Sequence, residues 1–128
     1  MHALTISQPY AELIASGRKW VENRRWKPTK WAVGKPMEIH AGKGTQYLTR
    51  KQRAEYTTGA IVAVATLDAV LTMPEIEAWG GDSEEAWDRA TVTKIPGSDR
   101  TYREIICHCH AEGPVCWGLG NMRRVEPV

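Results

Sequence analysis

The sequence predicts an α+β fold, mainly β, in which a small barrel of strands is joined by short helices. Three observations predict it. Residues 36–41, PMEIHA, alternate Met37, Ile39 and Ala41 against Glu38 and His40, the period-two pattern of a half-buried strand. Residues 60–67, AIVAVATL, make a near-continuous β-rich run that reads as a strand buried on both faces, as at the centre of a small barrel. The helical stretches between such runs are all short.

Taken in order, the first helix is capped by Ser7 or Gln8 and carries Pro9 in its first turn, where the early N–H groups lack helical partners. Tyr10, Leu13 and Ile14 form its apolar face. Gly17 ends it, with Arg18 and Lys19 beside the negative end of its dipole. The chain continues as a strand with Trp20, Glu22 and Arg24 on one side and Val21 and Asn23 on the other. A carboxylate and a guanidinium thus stand two residues apart on one face; a plain surface ion pair at a sheet edge is the alternative to a ligand site.

After the 36–41 strand, Gly42 and Gly44 bracket Lys43 in a turn, but this segment lacks the longer loop and terminal Ser or Thr of a phosphate-binding loop. Thr49 and Gln52 read as a capping box opening a short helix through about Tyr56, with Arg50, Lys51 and Arg53 on its surface. Asp68 follows the buried strand directly. Residues 74–79 and 83–90 read as two helical turns split by Gly80-Gly81, an acidic insertion placed away from any ligand. Residues 101–109 and 115–119 supply the last long strands around the turn Glu112-Gly113-Pro114, and residues 122–125 close the barrel or lie across its mouth.

At 128 residues, 25% charged and 42% hydrophobic, the chain fits one soluble domain spanning residues 1–128. The longest apolar run is far too short to cross a bilayer, and no signal-like segment opens the chain, so a cytoplasmic protein without a membrane partner is expected. Three cysteines in this setting argue for reduced thiols. The net charge of +2 conceals an asymmetry: residues 18–53 contain eleven Lys or Arg against Glu22 and Glu38. Trp20, Trp26, Trp31 and Tyr47 lie in the same stretch. Aromatics interleaved with cations suit a nucleic-acid surface, where bases stack on rings and cations track the backbone. Trp20 and Trp31 read better as core, whereas Trp26, between Arg25 and Lys27, reads as exposed.

Cys107-His108-Cys109-His110, with Cys116 beyond, are all good zinc ligands. Read as a strand, however, the segment sends its cysteines to one face and its histidines to the other, so neither a metal nor a cofactor is assigned.

The order Gln8-Pro9-Tyr10-Ala11, Gly17-Arg18-Lys19, Glu22-x-Arg24, Ile39-His40-Ala41-Gly42-Lys43, Gly59-Ala60-Ile61-Val62 and Cys116-Trp117-Gly118-Leu119 resembles the ASCH family, the activating-signal-cointegrator homology domain, over nearly the whole chain. The resemblance implies a PUA-like small β-barrel with short flanking helices, named for pseudouridine synthases and archaeosine transglycosylases. It also implies a ligand that is RNA, single-stranded DNA or a nucleotide. On this pattern Lys19, Glu22, Arg24, His40 and Lys43 line a polar pocket, with Trp26 beside it.

Some small members of the superfamily hydrolyse the acyl amide of modified cytidines with a Lys, a Thr three residues later and a downstream Glu. Others have been proposed as ribonucleases. Here Lys19 matches the lysine, but Glu22 occupies the threonine's place, and Thr66 and Asp68 stand where the carboxylate would be sought. An enzyme would therefore need Glu22 as general base activating water, with Lys19, Arg24 or His40 stabilising developing charge. The sequence thus leaves three readings: a nucleic-acid or nucleotide-binding module, a hydrolase of RNA or a modified nucleoside through Lys19 and Glu22, and a module whose basic face binds an acidic protein.

Overall fold

The computed structural model describes the chain apart from residues 1, 29, 80–83, 97, 108–112 and 128 and the side chain of Lys30. Five strands, β1 (His2–Ile6), β2 (Val21–Arg24), β3 (Pro36–Ala41), β4 (Ala60–Thr72) and β5 (Val115–Arg124), form a mixed sheet in the order β1-β3-β4-β5-β2. Among the described residues, five short α-helices, α1 (Tyr10–Ala15), α2 (Arg50–Glu55), α3 (Met73–Trp79), α4 (Glu84–Val92) and α5 (Tyr102–Ile106), and a 3-10 turn at Lys30–Ala32 complete an α+β fold that is mainly β. No described helix is long and apolar enough to cross a membrane. Two compact units emerge, one of residues 1–19, 36–66 and 121–128, the other of residues 20–35 and 67–120.

In the first unit β1 runs parallel to β3, with His2 opposite Met37 and Ile6 opposite Ala41, while β3 runs antiparallel to the first part of β4. Met37, Ile39 and Ala41 are buried and Glu38 and His40 half-buried, as their alternation requires. Between Ile39 and His40 the register shifts: Ile39 faces Ala63 and His40 faces Ile61, leaving Val62 as the extra residue of a bulge. That is why Val62 and Ala63 are consecutively buried. Helix α1 ends at Gly17, whose φ of +78° suits a residue without a Cβ. Its buried residues are Ala11, Ile14 and Ala15. Tyr10 and Leu13, expected on that face, are half-buried, and Tyr10 meets the ring of Tyr47 edge-on at 5.7 Å. The capping box of α2 is present in both directions: Thr49 accepts from the Gln52 N–H and Gln52 accepts from that of Thr49.

The second unit is built on β2 and the first part of β5, which pair antiparallel with Glu22 opposite Trp117 and Arg24 opposite Val115. Val21, Ala69, Leu71, Ile76, Ile95, Ile105 and Cys116 form its core. Two expectations are corrected here. The segment from Thr101 is not a strand: Thr101 and Glu104 make a second reciprocal capping box, and α5 follows, burying Ile105. Strand β4 runs on to Thr72, so Asp68 lies within it, and from Ala63 onward buried and half-buried residues alternate rather than both faces being covered. The Asp68 carboxylate fills the space over Gly120 that a Cβ there would need. Helices α3 and α4 appear where the acidic insertion was expected.

Candidate functional site

The candidate residues divide between the units. Glu22, Arg24 and Trp26 belong to the second, Lys19, His40 and Lys43 to the first.

On β2 the period of two sets Glu22 and Arg24 on one face, and their side chains form an ion pair at 3.1 Å with only 14% and 24% exposure respectively. Asn23, pointing to the other side, accepts from the Gly113 N–H at 2.9 Å and from the Cys116 thiol at 3.4 Å. Gly113 has φ +77°, so this amide holds a turn that few other residues would take. Directly after β2, Trp26 is 65% exposed, while its backbone carbonyl accepts from the indole N–H of buried Trp117 at 3.4 Å. Asn23, Arg24, Arg25, Trp26, Gly113 and Pro114 line a cleft of about 520 Å³. Two guanidinium groups, one of them paired to Glu22, and an exposed indole can bind a planar, anionic ligand.

In the first unit Lys19 is 2% exposed, and its backbone N–H donates to the Leu13 carbonyl that closes α1. His40 faces Thr5 across the β1–β3 ladder, with Nδ1 and the threonine hydroxyl 3.3 Å apart. Lys43 is exposed, and its aliphatic stem passes close to Gly59, where a Cβ would approach to 3.3 Å. Arg50, Lys51 and Arg53 of α2 are exposed as expected. Trp31 is 71% exposed, which corrects its reading as core. Its flanking segment, held by buried Ala32, supplies the anchor instead.

Sequence reasoning missed a second constellation. Gln8 is buried, accepting from the Glu12 N–H at 2.9 Å and donating to the Thr57 carbonyl at 2.8 Å. Glu12 takes both terminal nitrogens of Arg124, at 2.7 and 2.5 Å, and with Thr57 and Gln8 these residues border a cavity of about 360 Å³. The guanidinium holds the Glu12 carboxyl below its ordinary pKa, and the carboxylate raises that of Arg124. No local signal couples residues 112 apart in sequence. In the second unit, burial pushes Asp68 above the usual carboxylate range, opposed by the hydrogen bond from the Ser98 hydroxyl and by the charge of Arg100.

The insertion helices are tied by ring stacking: Trp79 lies on Tyr102 at 3.9 Å and 6°, with the Arg89 guanidinium 4.7 Å over Trp79. Cys107 is exposed and Cys116 buried, while the remainder of the proposed zinc segment, 108–110, lies outside the described residues. The strand argument against zinc falls with the strand. Among the described residues no three metal-ligating side chains gather.

No curated protein matches this chain. Its backbone is similar to three crystal structures of ASCH from Zymomonas mobilis, the parent protein and two point mutants, each 21% identical and covering 98% of this chain. They match with TM-scores of 0.51, 0.51 and 0.50, covering 73%, 71% and 71% of those chains, a likeness of fold. The family model for the ASCH domain matches residues 4–127, all but the extreme ends. The PUA-like expectation is therefore met, and this chain belongs to the ASCH domain family.

Proposed function

We propose that this chain is a nucleic-acid or nucleotide-binding module whose preferred ligand is RNA. The observation that carries the reading is the cleft beside β2, lined by Arg24, Arg25 and exposed Trp26, with Glu22 paired to the Arg24 guanidinium. Glu22 accepts hydrogen bonds from the donor edge of a base, Arg24 and Arg25 hold phosphate or carbonyl oxygens, and the Trp26 indole covers a base face. In the first unit, exposed Lys43 and half-buried His40 are proposed as ligand-contacting residues of that unit by themselves. Lys19, being buried, supports the turn after α1 rather than offering a surface contact.

Binding to labelled single-stranded RNA, followed by anisotropy across a salt series, tests this. Affinity should fall steeply with salt as phosphates are neutralised. Glu22→Gln should weaken binding by on the order of 1–3 kcal/mol, because the amide loses the charge and presents a donor where an acceptor is needed. If the same variant keeps its affinity but cuts release of cleaved RNA by roughly a hundredfold or more, Glu22 is a general base and the chain is a hydrolase. Affinity without salt dependence would remove the phosphate contacts.

A further inference from the structure

Residues 25–35 read RWKPTKWAVGK, with no Asp or Glu among them. Trp26 and Trp31 are 65% and 71% exposed, and Arg25, Lys27 and Lys35 are exposed beside them. Such large apolar rings in water would ordinarily mark a loose loop, but this one is pinned at Trp26 and again at residues 32–35. The Trp117 indole N–H donates to the Trp26 carbonyl, and Ala32 is buried. The Gly34 N–H donates to the Leu67 carbonyl at 2.7 Å, and the Leu67 N–H donates to the Lys35 carbonyl at 3.1 Å. Gly34, at φ +84°, takes the backbone turn that these bonds demand. Each ring thus sits beside backbone already held by the fold, so presenting it to a ligand loses little further freedom.

Resting on the nucleic-acid reading above, we propose that this segment is a stacking strip for single-stranded nucleic acid. Trp26 and Trp31 each take a base and Arg25, Lys27 and Lys35 follow the phosphates, so the ligand is an oligonucleotide rather than a lone nucleotide. The choice of ligand follows from complementarity. The strip is purely cationic, which suits a polyanion, and it offers aromatic faces, which only unpaired bases can cover. A duplex keeps its base faces inside the stack and meets such a surface through phosphates alone. Trp26 also borders the cleft, so the strip continues directly from it.

The experiment compares wild type with Trp31→Ala, Trp31→Tyr and the double variant Lys27→Gln/Lys35→Gln, each checked for an unchanged thermal transition. The probes are a labelled single-stranded RNA oligomer, a duplex of the same length, a nucleoside monophosphate as competitor, and phosphatidylserine vesicles. Trp31→Ala should weaken the single strand about five- to a hundredfold, while Trp31→Tyr keeps most of the affinity and the monophosphate and duplex are unaffected. The double lysine variant should lower the slope of log affinity against log salt by about two, and it carries the test if Trp31→Ala does not fold. Full affinity in both Trp31→Ala and the lysine variant, with Glu22→Gln still weakened, would overturn the strip and leave the cleft standing. Loss of vesicle binding in Trp31→Ala with the oligomer unaffected would assign the segment to a membrane surface and overturn the proposal. Absence of any nucleic-acid binding by wild type at low salt would overturn both readings.

Discussion

Glu22 and Arg24 meet from adjacent same-face positions of one strand, whereas Glu12 and Arg124 meet from 112 residues apart. The first pair is 14% and 24% exposed and closes to 3.1 Å; the second is 29% and 54% exposed and engaged through both terminal guanidinium nitrogens. Their physics differs accordingly. Once β2 is in the sheet, its pleat has already brought Glu22 and Arg24 side by side, so little further ordering is needed. Arg124 must be brought to Glu12 by the rest of the unit, and the bidentate geometry rewards that ordering with direction as well as charge. A sheltered pair made locally adds no long-range link to the chain. A wetter pair made at long range acts as a clasp between α1 and the end of β5.

Removing one partner from each pair tests this contrast most strongly. Arg24→Ala should destabilise the protein by on the order of 3 kcal/mol in urea unfolding, because it strips a partner from a sheltered carboxylate. Arg124→Ala should cost about 1 kcal/mol or less, given its exposure. Equal losses would erase the distinction between sheltered pair and clasp.

The capping boxes sharpen the comparison between units at a smaller scale. Helix α5 buries Ile105 in the core and α2 buries nothing, although each starts with a reciprocal box. Thr101→Ala should therefore cost about 1–2 kcal/mol, against about 0.5–1 kcal/mol for Thr49→Ala. Thermal melts of the two variants measure the difference.

The smallest effects concern pH and have opposite signs. Glu12 has a lowered pKa in the fold, so its contribution is present above the unfolded carboxylate value and is lost as pH falls through the lowered one. Asp68 has a raised pKa, so its contribution is full below the unfolded value and is lost as pH rises through the raised one. Melts from about pH 3 to pH 7 should show Glu12→Gln flattening the acid loss of stability. Asp68→Asn should flatten the decline that sets in as pH rises above the unfolded carboxylate value. A common direction for the two variants would contradict the assigned causes.

Local patterns made much of this legible. Period two in residues 36–41 identified β3, Gly17 ended α1, Thr49 and Gln52 began α2, and residues 21–24 put Glu22 beside Arg24. Helix α5 carries the same kind of cap as α2, but the apolar Ile105-Ile106-Cys107 stretch suggested a strand, and the Thr101–Glu104 signal was overlooked. Trp31 reads from sequence as core with the neighbouring lysines on the solvated side, yet burial of the adjacent Ala32 leaves the indole outside. The bulge at Val62 and the Glu12–Arg124 clasp depend on which segments meet across the fold, and no neighbouring residue announces either.

The carboxylate of Asp68 occupies the place a side chain at position 120 would need. The two positions are consequently locked as a historical pair: a descendant chain acquires any side chain at 120 only after the carboxylate at 68 has shrunk or turned away. Gly120→Ala should therefore be better tolerated in an Asp68→Ala background than alone, and a variant library that mutates both together should recover combinations that neither single-site library yields.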